Sequence, residues 1–309
     1  MVFLLHLKMM KQSFTILLLV LSLVGDGIAQ QKEVAITIDD VPNIKTYQGH
    51  SFSSQLLGII NFLEIPVTVF INEKNIYGNQ LIADNRQGLS RWLNSAHVTA
   101  GNHTYSHLNY SDTTLDAFKE DIRKGSLITR EILKKDPKYF RFPYNNMGRD
   151  SIAHYQIKKY LKESGYINTP FTIESEDWAF NSAYEEAWKK GDSKKADEIG
   201  RQYIEHTVRL FEYFEKIILE LYGRNIKHIY LCHDNHLNAD YLTDLLAALT
   251  KQGYKYISLD NALKDKIYQS NDYYTGPYGF SWVYRWQKDE LKRKTLMRQE
   301  PPNPLSVNR

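Results

Sequence analysis

Short apolar runs alternate with amphipathic stretches along most of the chain. Runs rich in β-branched and aromatic residues fall at Val34–Ile38, Pro66–Ile71, Val98–Ala100, Lys138–Phe142, Tyr166–Ile173, His228–Cys232 and Tyr254–Leu259. Several are apolar at successive positions, as strands buried on both faces are. Between them, apolar residues recur at helical spacing. Phe52, Leu56, Leu57, Ile60 and Leu63 form one stripe. Leu115, Phe118, Ile122, Leu127 and Ile132 form a second, with Asp112 placed to cap its start. Ile152, Ile157, Tyr160 and Leu161 make a third, and Tyr241, Leu242, Leu245, Leu246 and Leu249 a fourth. Strand–helix alternation repeated about seven times predicts an α/β protein with parallel strands, in an open sheet or a barrel. The segment Asn181–Arg224 breaks the rhythm. It is charged at first, becomes helical from about Ala196 to Tyr222, and reads as a helical insertion in the same domain. From Asn271 onward the chain is rich in Tyr and Trp, then basic.

Composition narrows the class. With 309 residues, 42% hydrophobic and 24% charged, the chain resembles an average soluble protein. A disordered chain, a collagenous fibre and a polytopic membrane protein are excluded. Lys8 and Lys11 precede the apolar stretch Phe14–Val24, which is followed by the small residues Gly25, Gly27 and Ala29. That pattern predicts a secretory signal peptide over residues 1–29, cleaved near Ala29. The apolar stretch falls short of the roughly 18–20 residues a spanning helix needs. The mature chain is therefore expected to be secreted or periplasmic, with no membrane span. Residues 30–268 are expected to form one domain, including the helical insertion 181–224, and residues 269–309 an aromatic and basic C-terminal extension. A formal charge of +3 with no long basic run offers no phosphate-neutralising surface, so nucleic acid is not an expected partner. The lone Cys232 rules out an intrachain disulfide and a cysteine-built zinc site. Between Leu231 and His233 on a strand, its side chain points away from theirs, into the packing.

Candidate chemistry lies at strand ends, where folds of this class place their sites. Val34–Ile38 runs into Asp39 and Asp40, two adjacent carboxylates that repel unless a cation or a shared proton relieves them. His103 and His107, four apart, share a helix face or one turn, so both imidazoles can reach one ion. Joined with Asp40 they make a two-histidine, one-carboxylate set suited to zinc or another divalent transition metal. Arg141 can hold a carboxylate ionised and oriented, and Pro143 stiffens the turn after it. His233, following an apolar strand, is placed as a general acid. His50, His154, His206 and His228 have no such setting and read as surface or packing residues. Tyr273, Tyr274, Tyr278, Phe280, Trp282, Tyr284 and Trp286 either pack onto the domain, the favoured reading, or form an exposed stacking platform.

Taken in order, five segments resemble the motifs of the polysaccharide deacetylase family, also called the NodB-homology domain or carbohydrate esterase family 4. They are Thr37-Ile38-Asp39-Asp40, His103-Thr104-Tyr105-Ser106-His107, Arg141-Phe142-Pro143-Tyr144, Glu174-Ser175-Glu176-Asp177-Trp178 and Leu231-Cys232-His233, and the likeness runs from Val34 to Leu259. The resemblance implies a distorted (β/α) barrel of about seven parallel strands. It implies Asp39 as catalytic base oriented by Arg141, and His233 as general acid paired with Asp177. Asp40, His103 and His107 become the metal ligands, the Tyr144 backbone N–H an oxyanion contact, and Trp178 and Leu231 the walls around the acetyl methyl. The implied metal is most often zinc, with cobalt or another divalent ion in some members. The implied reaction is hydrolysis of N-acetyl groups on an N-acetylhexosamine polymer or oligosaccharide: chitin-like, peptidoglycan or exopolysaccharide. An O-deacetylase of the acetylxylan type and a catalytically inactive carbohydrate-binding relative are the alternatives. Glu174 stands where the fourth motif usually opens with Asp, and the stretch before His103 is one residue longer than the commonest spacing. Insertions at Tyr77–Gly88 and Asn181–Arg224 are expected to reshape the groove, so the sugar does not carry over. The sequence leaves the oligomeric state open.

Overall fold

The centre of the protein is a ten-residue strand, β1 (Lys32–Val41), whose Val34, Ala35, Ile36 and Ile38 are fully buried on both faces. The computed structural model describes residues 31–305 except Gln48; the signal peptide expected over residues 1–29 lies outside the described residues. A small antiparallel hairpin, β2 (Thr46–Tyr47) and β3 (His50–Ser51), follows β1. The other strands are β4 (Val67–Ile71), β5 (Val98–Asn102), β6 (Tyr139–Phe140), β7 (Ile167–Asn168), β8 (Ile173–Glu174), β9 (Lys227–His233) and β10 (Tyr254–Tyr256). One parallel path runs β7-β6-β5-β4-β1-β9-β8, and β10 pairs with the start of β1. Seven strands in this path make the distorted barrel that the motifs implied.

Its two edges meet through covalent chain. β7 and β8 are separated only by Thr169–Thr172, whose ends bond to Phe140 O and Ile229 O on opposite sides of the sheet. The single strand expected over Tyr166–Ile173 is thus two strands. Pro170 lacks the N–H that a continuous central strand requires, and the chain crosses from one edge to the other there.

The helices surround this sheet. The first, α1 (Phe52–Leu63), is capped by Ser51, which accepts from Ser54 N. After α2 (Ile82–Leu93) comes the second predicted stripe, which is not one helix but two, α3 (Leu115–Lys124) and α4 (Leu127–Leu133). The break falls at Gly125, the C-cap of the first of the two. A Cβ on Gly125 would lie 2.5 Å from Thr104 C and 2.7 Å from Tyr105 N, so only glycine lets the chain pass there. Thr114, not Asp112, caps α3; Asp112 sits in the short 3-10 turn before it. In α5 (Ser151–Glu163), Ile157 and Leu161 are buried, but Ile152, expected on the same stripe, is exposed. Leu259 opens a short helix rather than closing β10.

The helical layer begins earlier than the sequence pattern placed it. α6 (Asp177–Lys189) precedes α7 (Ser193–Tyr222), whose thirty residues bury a face that includes Tyr203, Leu210, Phe211 and Phe214. Gly223, at φ 67, ends it. α8 (His236–Lys251) packs beside both. His154, His206 and His228 are buried among other side chains and His50 is exposed, and Cys232 is fully buried. Of the C-terminal aromatics, Tyr284 and Trp286 are buried, and Phe280 and Trp282 pack against the core. The fully buried Arg285 donates to Asp272 from Nε (3.0 Å) and Nη2 (2.7 Å), which ties this segment down. Among the described residues no helix is long and apolar enough to cross a membrane.

Candidate active site

Parallel register assembles the first pair. β1 and β9 align Ile38 with Cys232 and Asp39 with His233, so both polar groups emerge together at the C-terminal edge. Asp39 is 2% exposed, and its Oδ1 accepts at 2.8 Å from Arg141 Nη1. The same nitrogen donates to Thr37 Oγ1 at 2.7 Å, and Nη2 reaches Pro170 O at 3.4 Å. The guanidinium is fully buried and lies 4.3 Å over the Phe70 ring. Burial pulls its pKa down and Asp39 pulls it up, and an arginine keeps its charge. Asp39 is therefore held from beneath by a fixed cation.

Asp40 would point to the opposite face of a regular strand. Instead it has φ 65, and the β1–β4 register shifts between Ile38 and Val41. This bulge turns Asp40 toward the same cleft as Asp39, at the cost of a backbone conformation uncommon outside glycine.

The two histidines lie on a loop after β5, so of the helix face and the single turn that their spacing allowed, the helix face is not used. Thr104 (φ 63) and His107 (φ 57) both take left-handed conformations. Asn72 donates to His103 O and Thr104 O, Asn102 accepts from Thr104 N at 2.7 Å, and Asp121 accepts from Ser106 N and Oγ. The rings end 5.0 Å apart, edge to face. His103 Nδ1 donates to Arg141 O at 2.8 Å, which leaves Nε2 as an acceptor 3.7 Å from Asp40 Oδ1. His107 Nε2 is 3.5 Å from the same oxygen. Burial, reinforced by His107, pushes the His103 pKa down to about 3, so its ring stays neutral.

Asp40, His103 and His107 each offer one donor atom, and those atoms lie within 4.8 Å of one another. Asp40 Oδ1 is buried with no hydrogen-bond partner among the described residues. Two imidazole nitrogens and an orphaned carboxylate oxygen, one ring aligned by a backbone carbonyl, fit a divalent transition metal.

On the other side of the cleft, Asp177 opens α6. Its Oδ1 is 2.7 Å from His233 Nδ1, and its Oδ2 accepts from His233 N (2.9 Å), Asn235 Nδ2 (2.8 Å) and Asn238 Nδ2 (2.6 Å). Burial alone would raise the Asp177 pKa, but His233 and these donors outweigh it and hold the group below the ordinary carboxylate range. Burial works against charge on His233 too. Asp177, followed by Asp40 and Asp39, overcomes it and lifts the imidazole pKa to about 10. Behind Asn238 stands Tyr203 of α7, which donates to its Oδ1 at 2.7 Å. The long helix thus reaches within two hydrogen bonds of the Asp177 carboxylate.

The cleft has a volume of about 740 Å³ and is lined by Asp39, Asp40, His103, His107, Tyr144, Trp178, Leu231 and His233. Arg141 and Asp177 sit behind that wall, fully buried. Trp178 is 59% exposed at the rim and Leu231 is buried beside His233. Tyr144 has φ 56 and ψ 12, and its exposed ring stands edge-on to His107 at 4.6 Å. The N–H groups of Asn145 and Asn146 close turns onto Phe142 O and Pro143 O.

Sequence reasoning gave no role to five contributors: Asn72, Asn235, Asn238, Asp234 and Tyr203. Asn72 had a visible signal, since it follows the buried run Val67–Ile71 as Asp39 follows its own. Asp234 lines the cleft with Oδ1 unpartnered, and burial raises its pKa to about 7. Glu174, noted only as a departure, also lines the cleft; burial and then Asp177 raise its pKa to about 8.

Comparison with known proteins places the chain in a family. Residues 26–184, just over half of the chain, match the family model described as polysaccharide deacetylase. The peptidoglycan-N-acetylglucosamine deacetylase of Bacillus cereus is 26% identical over 157 residues, 51% of this chain and 50% of its own length. The chain therefore spans about half of that relative. The peptidoglycan-N-acetylmuramic acid deacetylase PdaA of Bacillus subtilis is 21% identical over 241 residues, 78% of this chain and 74% of its own. Among solved structures, the chitin deacetylase of Colletotrichum lindemuthianum superposes with a TM-score of 0.53 at 24% identity, covering 76% of this chain and 89% of that one. A peptidoglycan N-acetylglucosamine deacetylase gives 0.51 at 18% identity with the same coverage. These structural likenesses establish the fold.

Proposed function

The chain belongs to the polysaccharide deacetylase family, and from that premise we propose that it is an extracytoplasmic, metal-dependent N-deacetylase of an N-acetylhexosamine polysaccharide. One observation carries the reading: an arginine-held carboxylate, Asp39, and a cationic imidazole, His233, flank a metal-competent trio in one cleft. Amide hydrolysis needs that pairing. Water is a poor nucleophile at neutral pH, and the amine leaving group is too basic to depart without a proton. Asp39 takes the proton from the attacking water, with Arg141 fixing the direction of its lone pairs. His233, protonated below about pH 10, gives its proton to the departing nitrogen. The backbone N–H of Tyr144, a residue of the cleft wall, would hold the developing oxyanion. Leu231 and Trp178 enclose the acetyl methyl. A divalent ion held by Asp40, His103 and His107, zinc being the family's usual metal and cobalt an alternative, would acidify water and polarise the amide carbonyl.

The domain reading accords with this role, with a catalytic domain over residues 30–268 carrying the insertion 181–224 and the extension 269–309. A signal peptide over 1–29 would deliver it to cell-envelope polymers. By their names two relatives act on peptidoglycan, one at N-acetylglucosamine and one at N-acetylmuramic acid, and one structural neighbour acts on chitin; an N-acetylated amino sugar is the chemistry these share. Ester cleavage is the second reading, but an alkoxide leaves more readily than an amide anion, so an imidazolium in the cleft wall favours the amide. An inactive binding relative would have no use for Asp39 and His233 together. Product analysis on chitooligosaccharides and acetylxylan tests the proposal. Free amine is expected to appear one for one with acetate; acetate from acetylxylan alone would replace it with an esterase.

A further inference from the structure

Beside the cleft lies a second one, of about 590 Å³, which no motif predicts. The two share Tyr144 and Gly279, so they are continuous around the Tyr144 ring. One wall is Tyr144 with Asn109, Asp112 and Arg149; the other is the C-terminal segment Pro277–Gly279, where Tyr278 is 71% exposed. We propose that this groove is a subsite for a neutral pyranose of the same glycan, adjacent to the unit whose acetyl group is removed. The proposal rests on the functional reading above and deepens it.

Three features carry it. The polar lining is already ordered. Asn109 Oδ1 accepts from Asn146 Nδ2 at 2.9 Å, Asn109 Nδ2 donates to Asp112 Oδ2 at 2.7 Å, and Arg149 Nη2 is 3.4 Å from Asp112 Oδ1. Amide, carboxylate and guanidinium groups are planar and bidentate, matched to pairs of neighbouring sugar hydroxyls, and opposite charges in contact suit a neutral ligand better than an ion. Second, Tyr278 offers an open aromatic face to the apolar C–H side of a pyranose.

Third, the wall that carries Tyr278 is built in place. His154 Nε2 lies 3.2 Å from Gly276 O, Ser281 Oγ donates to Thr172 O at 2.7 Å, and Trp282 N donates to Phe171 O at 3.0 Å. A Cβ on Gly279 would lie 2.0 Å from Tyr144 O, so only glycine allows this segment to press against the turn that bears Tyr144. The C-terminal aromatics accordingly serve two ends. Tyr284 and Trp286 anchor the segment in the core, and Tyr278 is left facing the groove.

The test compares chain lengths. Affinities for chitobiose and chitopentaose are measured by calorimetry in the Asp39→Asn background, so binding is read without turnover. The gain in affinity from the short to the long probe is expected to shrink about tenfold in Tyr278→Ala and to persist in Tyr278→Phe, which keeps the ring face. In otherwise wild-type enzyme, the ratio of kcat/KM for the two probes is expected to fall by a similar factor. An unchanged gain in Tyr278→Ala overturns the subsite. Absence of acetate release from every oligosaccharide, with the length-dependent gain intact, overturns the functional reading instead.

Discussion

Replacing Asp39 by asparagine is expected to lower kcat by about three orders of magnitude while the metal stays bound. Asparagine keeps an oxygen that can accept from Arg141 Nη1, so the geometry of the strand end is retained. What it loses is basicity, and with it the acceptor for the proton of the attacking water. The metal is expected to remain because its donors are Asp40, His103 and His107. Acetate assays and metal content by mass spectrometry, run on the same preparation, check both halves. The substitution leaves the buried guanidinium facing a neutral partner, and breaking such pairs costs about 3–5 kcal/mol, so a lower melting temperature is expected as well. Turnover close to wild type would remove Asp39 from the role of base. Loss of metal together with activity would make it a ligand instead, which its Oδ2, 3.7 Å from His103 Nε2, is near enough to be.

His233→Ala is expected to cost amide hydrolysis about a hundredfold to ten-thousandfold. Hydrolysis of an aryl acetate should suffer far less, because a phenolate departs without a proton. Asp177→Asn probes the same function through pH. Burial disfavours the imidazolium, and Asp177 is the main group opposing it. With that charge gone, the His233 pKa falls from about 10 toward or below its ordinary value near 6.5. The proton-donating form is then lost at lower pH, so the alkaline limb of kcat/KM moves downward and activity at pH 8 drops more than at pH 6. A pH–rate profile with an unmoved alkaline limb in Asp177→Asn would contradict the assignment.

Much of the cleft could be read from the sequence because buried parallel strands are apolar throughout, which makes the polar residues that end them conspicuous. Asp39, Asp40 and His233 stood out for this reason, and parallel register then carried Asp39 to His233. Other features left no local trace. The stripe from Leu115 to Ile132 reads as one helix, but the chain makes two and passes between them at Gly125, where a Cβ would meet Thr104. Apolar residues on both sides of Pro170 hid the step between β7 and β8. Asp40 reaches the metal trio only through a bulge, whereas a regular strand would have sent it to the far face. Tyr203 and Asn238 steady Asp177 from 26 and 61 residues away in sequence, so the pattern around each gives no hint of the other. The division of the C-terminal aromatics between anchor and groove likewise depends on tertiary packing, not on spacing.

The most direct test of the account is metal dependence with product stoichiometry. Chelator-stripped enzyme is assayed on a chitooligosaccharide for acetate and free amine, then reloaded with zinc or cobalt and assayed again. Acetate release is expected to fall to background on stripping and to return with about one divalent ion per chain, one amine appearing for each acetate. Full activity in enzyme verified to be metal-free would contradict it.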